Sequence, residues 1–141
     1  MTKTYDALII GARCAGAATA LQLARAGAKV LLVDRAPTID DTLSTHALLR
    51  PAVSLLDHWG LLKDVENSAP IVGATEFIYG PERITVPIKP FGNATGFLAP
   101  RRYVLDNFLL EAAAKNGAEV RLGQSCSVLI QDLLGLSLIH I

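Results

Sequence analysis

Cysteine is scarce. The two present, Cys14 and Cys126, are too few and too scattered for a disulfide framework or a zinc site, so no metal is expected. Cys14 reads most simply as a small packed residue in a turn. Long apolar runs are also missing. No stretch approaches the roughly 20 residues that span a bilayer, and the opening MTKTYDALII leads into a strand-like run without a signal-peptide pattern. These absences imply a cytoplasmic chain without stable membrane insertion. Charge of one sign is not in excess either. Thirteen basic and thirteen acidic residues cancel, which leaves no electrostatic case for nucleic acid. The chain has no internal repeat and no low-complexity tract.

Apolar residues are abundant. They make up 51% of the 141 residues, with a mean hydropathy of +0.38, rich for a free-standing soluble domain. Either a sheet is buried on both faces, or apolar surface expects a partner this chain does not contain. By length the chain is one domain.

The most informative stretch is YDALIIGARCAGAATALQLARAGAKVLLVDR, residues 5–35. Ala7 to Ile10 is a short apolar run typical of a parallel strand covered on both faces. Gly11 ends it where the chain must reverse, and glycine permits backbone angles closed to other residues. The helix that follows carries Ala17, Ala20, Leu21 and Ala24 on one face, and Gly16 with these alanines lets it press on the sheet. Its N-terminus presents N–H groups and partial positive charge, which suit a pyrophosphate. Gly27 takes the C-terminal cap, with Arg25 in the last turn. Val30 to Val33 is then a buried strand closed by Asp34, an acid placed to accept the two hydroxyls of an adenosine ribose. This is a dinucleotide-binding βαβ pattern with one departure. Gly11-Ala12-Arg13-Cys14-Ala15-Gly16 has Arg13 where Gly-x-Gly-x-x-Gly has its second glycine, leaving Arg13 as a solvated loop cation or a charge near phosphate.

Downstream, residues 35–44 read as a loop. Pro51 suits the first turn of a helix whose buried face is Ala52, Leu55, Leu56 and Trp59, with Gly60 as its cap. His46, beside Ser44 and Thr45, reads on its own as a partly exposed loop residue in a local turn. EFIYG and RITVPI are short β-runs separated by Gly-Pro, and KPFGNATG is rich in turn residues, so residues 70–99 begin a second, inserted sheet. From Pro100 the pattern is helical, with Leu105, Phe108, Leu109 and Ala112 on one face and Asn116-Gly117 as the stop. GAEVRLG is a third strand, expected beside Val30–Asp34, with Arg102 at the helix entrance on the sheet edge that carries the phosphate turn. Arg101 and Arg102 taken alone read as solvated cations.

This combination resembles the N-terminal part of FAD-dependent oxidoreductases of the aromatic-hydroxylase (group A flavoprotein monooxygenase) and geranylgeranyl-reductase-like superfamily. The βαβ unit, DTLSTH and PRRYVLDNFLLEAAAKNGAEVRLG carry the likeness, and Arg102-x-x-Leu105-Asp106 is its most specific part. The resemblance implies an α/β, Rossmann-like FAD/NAD(P)-binding fold with the start of an inserted antiparallel β-region. It implies that Gly11, Ala12, Arg13, Ala15 and Gly16 line the FAD pyrophosphate, that Asp34 holds the ribose with Arg35 beside the adenine, and that Arg102 approaches the phosphate or ribityl region. Thr45 and His46 fall in the segment that passes near the flavin. NAD(P)H is the implied transient reductant and a small organic molecule the substrate, with oxygenation and double-bond reduction both open and no catalytic residue assignable. The organisation implied is residues 1–69 as βαβ unit and following helices, 70–99 as inserted strands, and 100–135 as a return to the FAD-binding part.

The superfamily pattern continues beyond this length, so the chain is expected to be truncated, inactive alone, and short of partners for its inserted sheet. Leu136 to Ile141 matches one reading frame of a sequencing-library adapter and is expected to be non-native read-through. Two other readings remain, an NAD(P)-dependent Rossmann dehydrogenase and a non-catalytic nucleotide-binding domain.

Overall fold

A computed structural model describes residues 3–44, 47–131 and 137–140. Its backbone divides into two compact units, Met1–Asp40 with Leu109–Ile141, and Asp41–Phe108.

The first unit is built on a parallel sheet. Strand β1 (Ala7–Ile10) leads through helix α1 (Cys14–Arg25) to β2 (Val30–Asp34). β2 is the middle strand. It pairs in parallel with β1, Ala7 opposite Val30, and on its other side with the strand Glu119–Leu122, Leu31 opposite Glu119. The apolar sequence of β2 follows from this position, for Val30 through Val33 are all at most 3% exposed. Ala17, Ala20 and Leu21 of α1 are fully buried, as the spacing predicts. Small side chains there let a helix sit close to a sheet. At its end Gly27 takes φ +87°, the left-handed cap that glycine adopts without a Cβ penalty.

In the second unit, α2 (Arg50–His58) starts with Pro51 in its first turn, and α3 (Leu62–Glu66) follows. The expected buried face of α2 is offset. Val53 and Leu56 are buried, whereas Leu55 is 50% exposed and Trp59 only half-buried at the C-cap. The reason is that Val53 and Leu56 share a face with i, i+3 spacing, and buried Leu62 and Val65 of the unpredicted α3 complete the apolar cluster. The short strand β3 (Ile71–Val72) precedes the hairpin of β4 (Ala74–Tyr79) and β5 (Glu82–Pro87). Gly80 turns this hairpin with φ +59° and Pro81 follows with its fixed negative φ, the sign pattern of a II′ turn. Register puts Phe77 opposite Ile84 and Thr75 opposite Val86, an exposed apolar face, while Glu76 and Arg83 pair at 2.8 Å on the other. β6 (Phe97–Leu98) is antiparallel to β3, and Leu98 also exchanges both backbone hydrogen bonds with Leu48.

Helix α4 (Arg102–Lys115) buries Leu105, Leu109, Ala112 and Ala113, with Phe108 half-buried, and stops at Gly117, φ +103°. β7 (Glu119–Leu122) then joins β2 as expected, and β8 (Val128–Gln131) pairs antiparallel with β9 (Ser137–His140). Ser137–His140 thus belongs to a backbone ladder within the segment set apart on sequence grounds.

Where β7 begins, four side chains of the first unit interlock. Glu119 accepts from Lys3 Nζ and Tyr5 Oη, each at 2.8 Å, and from Arg121 Nη2 at 2.6 Å. The Lys3 hydrogen bond, then those from Arg121 and Tyr5, hold the Glu119 carboxyl down to about 2 from its ordinary 4.5. The folded chain therefore binds fewer protons than the unfolded chain between those values, and this contribution, complete above pH 4.5, is lost as pH falls toward 2. Solvent screening keeps it small. In urea titrations across this range, Glu119→Gln is expected to flatten the acid limb of stability relative to wild type; parallel acid limbs contradict the assignment.

Candidate nucleotide-binding site

The first unit holds the turn between β1 and α1. Gly11 adopts φ +103°, a conformation that L side chains rarely enter, and its N–H donates to Val33 O at 2.8 Å. Gly16 lies against it so closely that a Cβ there would meet Gly11 O at 1.7 Å. Both glycines are sterically required. Arg13, by contrast, has φ −85° and ψ −171°, extended backbone open to any residue, so a second glycine is not needed for the turn. Its side chain does not simply face solvent, for Nη1 donates to Asp40 O at 2.8 Å and ties down the loop after β2.

Asp34 closes this arrangement. Its Oδ2 accepts the Ala12 N–H at 2.7 Å and its Oδ1 the Ala36 N–H at 2.9 Å. Sequence reasoning treated Asp34 as a ribose acceptor alone; the structure shows that it also fastens the turn to the end of β2. Each carboxylate oxygen has two lone pairs, so accepting one N–H apiece leaves capacity for hydroxyl donors. Ala12, fully buried, is part of the turn's frame. Ala15 is exposed and Gly16 half-buried at the start of α1, and Arg35 is exposed beside Asp34. α1 has no side-chain N-cap and no acid in its first turn. An uncapped, acid-free helix start under a glycine turn is suited to an anion.

The second unit holds Arg102 and a cavity of about 450 Å³ lined by segments 41–44 and 99–102. Arg101 pairs with Asp41 and holds its carboxyl below the usual carboxylate range. Arg102 is not a solvated cation. Its side chain is only 25% exposed, and Nη2 lies 3.4 Å from Oδ1 of the fully buried Asp106 one turn on. Its Nε is buried without a hydrogen-bond partner among the described residues. Thr45 and His46 lie outside the described residues. No group of three or more metal-ligating side chains occurs among the described residues.

The sequence pattern of the FAD binding domain matches residues 4–137. The chain belongs to the FAD-binding-domain family. Squalene epoxidase ERG1 of Saccharomyces cerevisiae is 35% identical over 88 residues, covering 61% of this chain and 18% of that protein. Digeranylgeranylglycerophospholipid reductase of Picrophilus torridus is 30% identical over 138 residues, covering 94% of this chain and 33% of that protein. Among solved structures, OxyS anhydrotetracycline hydroxylase from Streptomyces rimosus has a TM-score of 0.77 at 27% identity, over 91% of this chain and 26% of that one. The family member described here thus spans a third or less of these relatives, which are oxidoreductases by name. Within the first unit, the glycine turn, the uncapped helix start and the acid at Asp34 are a donor and acceptor set that fits the pyrophosphate and ribose of FAD.

Asp34→Asn replaces one acceptor oxygen by an amide facing a backbone N–H. Losing a hydrogen bond to a charged acceptor, and leaving a donor unmet, is expected to cost about 1–3 kcal/mol. Urea denaturation of the FAD-free chain checks this, and an unchanged midpoint contradicts the anchoring role.

Proposed function

We propose that this chain is the FAD-binding portion of a flavin-dependent oxidoreductase, a monooxygenase or reductase that takes its electrons from NAD(P)H and acts on a small, largely apolar organic substrate in the cytoplasm. The observation that carries the reading is the Gly11–Gly16 turn fastened by Asp34 at the uncapped start of α1, within a family match that runs through nearly the whole chain. Bound FAD supplies hydride acceptance and, in monooxygenases, the activation of oxygen.

In this reading Gly11, Arg13, Ala15 and Gly16 shape the pyrophosphate seat, the helix start supplying N–H groups and positive potential. Asp34 takes the ribose hydroxyls on its remaining lone pairs, with Arg35 beside the adenine. Arg102 is a further cofactor-binding candidate through its unmet Nε–H, as are Thr45 and His46 by the family resemblance. The apolar substrate class is supported by the substrates in the relatives' names and by a separate cavity of about 320 Å³ in the second unit, whose walls include Phe77, Val86, Ile88 and Phe97. Balanced charge supports a small molecule rather than nucleic acid as partner. Among the described residues no helix is long and apolar enough to cross a membrane.

The test is retention. The purified chain, incubated with FAD and desalted, is expected to keep flavin absorbance close to one equivalent, while NAD treated in parallel washes away. A soluble, folded chain that keeps NAD and loses FAD contradicts the proposal.

A further inference from the structure

We propose that the cavity of about 320 Å³ in the second unit binds an apolar organic acid as its anion, and that Arg50 is the residue that selects the carboxylate. The inference deepens the reading above and rests on it for the ligand's role as substrate.

Every residue lining this cavity belongs to the second unit. Strand register makes its walls apolar. Thr75 pairs with Val86 and Phe77 with Ile84 across the β4–β5 hairpin, so Phe77 and Val86 stand on one face. The Ile88 N–H carries the pairing on to Gly73 O at 2.8 Å, and Phe97 of β6 completes the apolar lining. Phe77 and Val86 are each 45% exposed, which is area that an apolar ligand body would take out of water.

Two cations share the lining, Arg50 and Lys89, and no acid does. They are neighbours, for Arg50 Nη1 donates to Lys89 O at 2.6 Å. The acids of the hairpin lie elsewhere. Glu76 pairs with Arg83 on the opposite face, and Glu82, opposite Tyr79, sits at the hairpin's tip. Helix energetics does not explain Arg50. It is the first residue of α2, where the helix dipole disfavours a cation, and no acid in the first turn offsets it. The bond to Lys89 O uses one of the five N–H donors of the guanidinium, and Arg50 makes no ion pair among the described residues. A planar fork, half-buried and tied at one nitrogen, keeps donors in the geometry that matches a carboxylate. A neutral ligand would leave both cations unanswered and a cationic one would be repelled. An apolar acid meets both parts of the lining.

The test uses three probes with one alkyl chain and different heads, octanoate, 1-octanol and octylammonium. Each is titrated into the FAD-free full chain and followed by backbone amide shifts. Octanoate is expected to bind about tenfold more tightly than octanol, the worth of a charge-assisted hydrogen bond, with octylammonium weakest and the shifts centred on Thr75, Phe77 and Ile88. Arg50→Gln is expected to bring octanoate down to the affinity of octanol while octanol binds as before. Equal affinity of acid and alcohol, no saturable binding of octanoate, shifts centred elsewhere, or an Arg50→Gln chain that keeps the preference overturns the proposal. Lys89→Gln changes an exposed side chain and serves if Arg50→Gln does not fold: the preference is expected to fall, and an unchanged preference contradicts the proposal. A chain that retains FAD but shows no preference for the acid overturns this inference alone. A chain that loses FAD but prefers octanoate overturns the FAD reading and leaves the anion site standing.

Discussion

The carboxylate of Asp34 is the constraint on which the nucleotide turn depends. It is one short side chain at the end of a buried strand, and it accepts from Ala12 N–H at 2.7 Å and from Ala36 N–H at 2.9 Å. The first bond fixes how β1 hands over to α1; the second fixes how the chain leaves β2. With Ala12 held, Gly11 takes its left-handed conformation and its carbonyl lies where only a glycine at position 16 can pass. The helix start is thereby set beside the acid. A site of this kind is organised before any ligand arrives, which reduces the ordering that binding would otherwise require.

Magnitudes separate this constraint from other polar features. The Lys3, Tyr5, Glu119 and Arg121 cluster has more ionic contacts, yet its members are open to water, Lys3 at 69% and Glu119 at 31%, where screening leaves little net stabilisation. Asp34 bonds to backbone donors at a part-buried turn, where an unmet donor bears more of its desolvation cost. Asp106 lies further along the same scale. It is wholly buried, with the Arg102 guanidinium 3.4 Å away.

Much of this was legible in residues. The spacing of Ala17, Ala20 and Leu21 predicts the packed face of α1, and GAEVRLG takes its place beside β2 because a short β-run after a helix has few other homes in a parallel sheet. Other features were hidden. Periodicity alone placed Leu55 in the core, but the phase of a nine-residue helix is decided by its neighbours, here the short α3 that carries too few residues to signal itself. Arg13 looked like a broken glycine pattern, and only its extended backbone and its bond to Asp40 O show why the substitution is tolerated. Asp34 was recognised for its place in a motif, while its backbone bonds follow from a turn geometry that sequence does not display. The two arginines at the head of α4 are adjacent and alike, yet Arg101 pairs with the exposed Asp41 and Arg102 meets a buried acid. The i, i+4 spacing to Asp106 was the available signal.

The central claim, that the turn is built by Asp34 and precedes the cofactor, is tested most directly by hydrogen exchange at the Ala12 amide with and without FAD. Protection in the FAD-free chain comparable to the amides of β2, little changed when FAD is added, is the predicted result. Fast exchange at Ala12 without FAD, with protection appearing only in its presence, would contradict the account and make the cofactor the organiser of its own site.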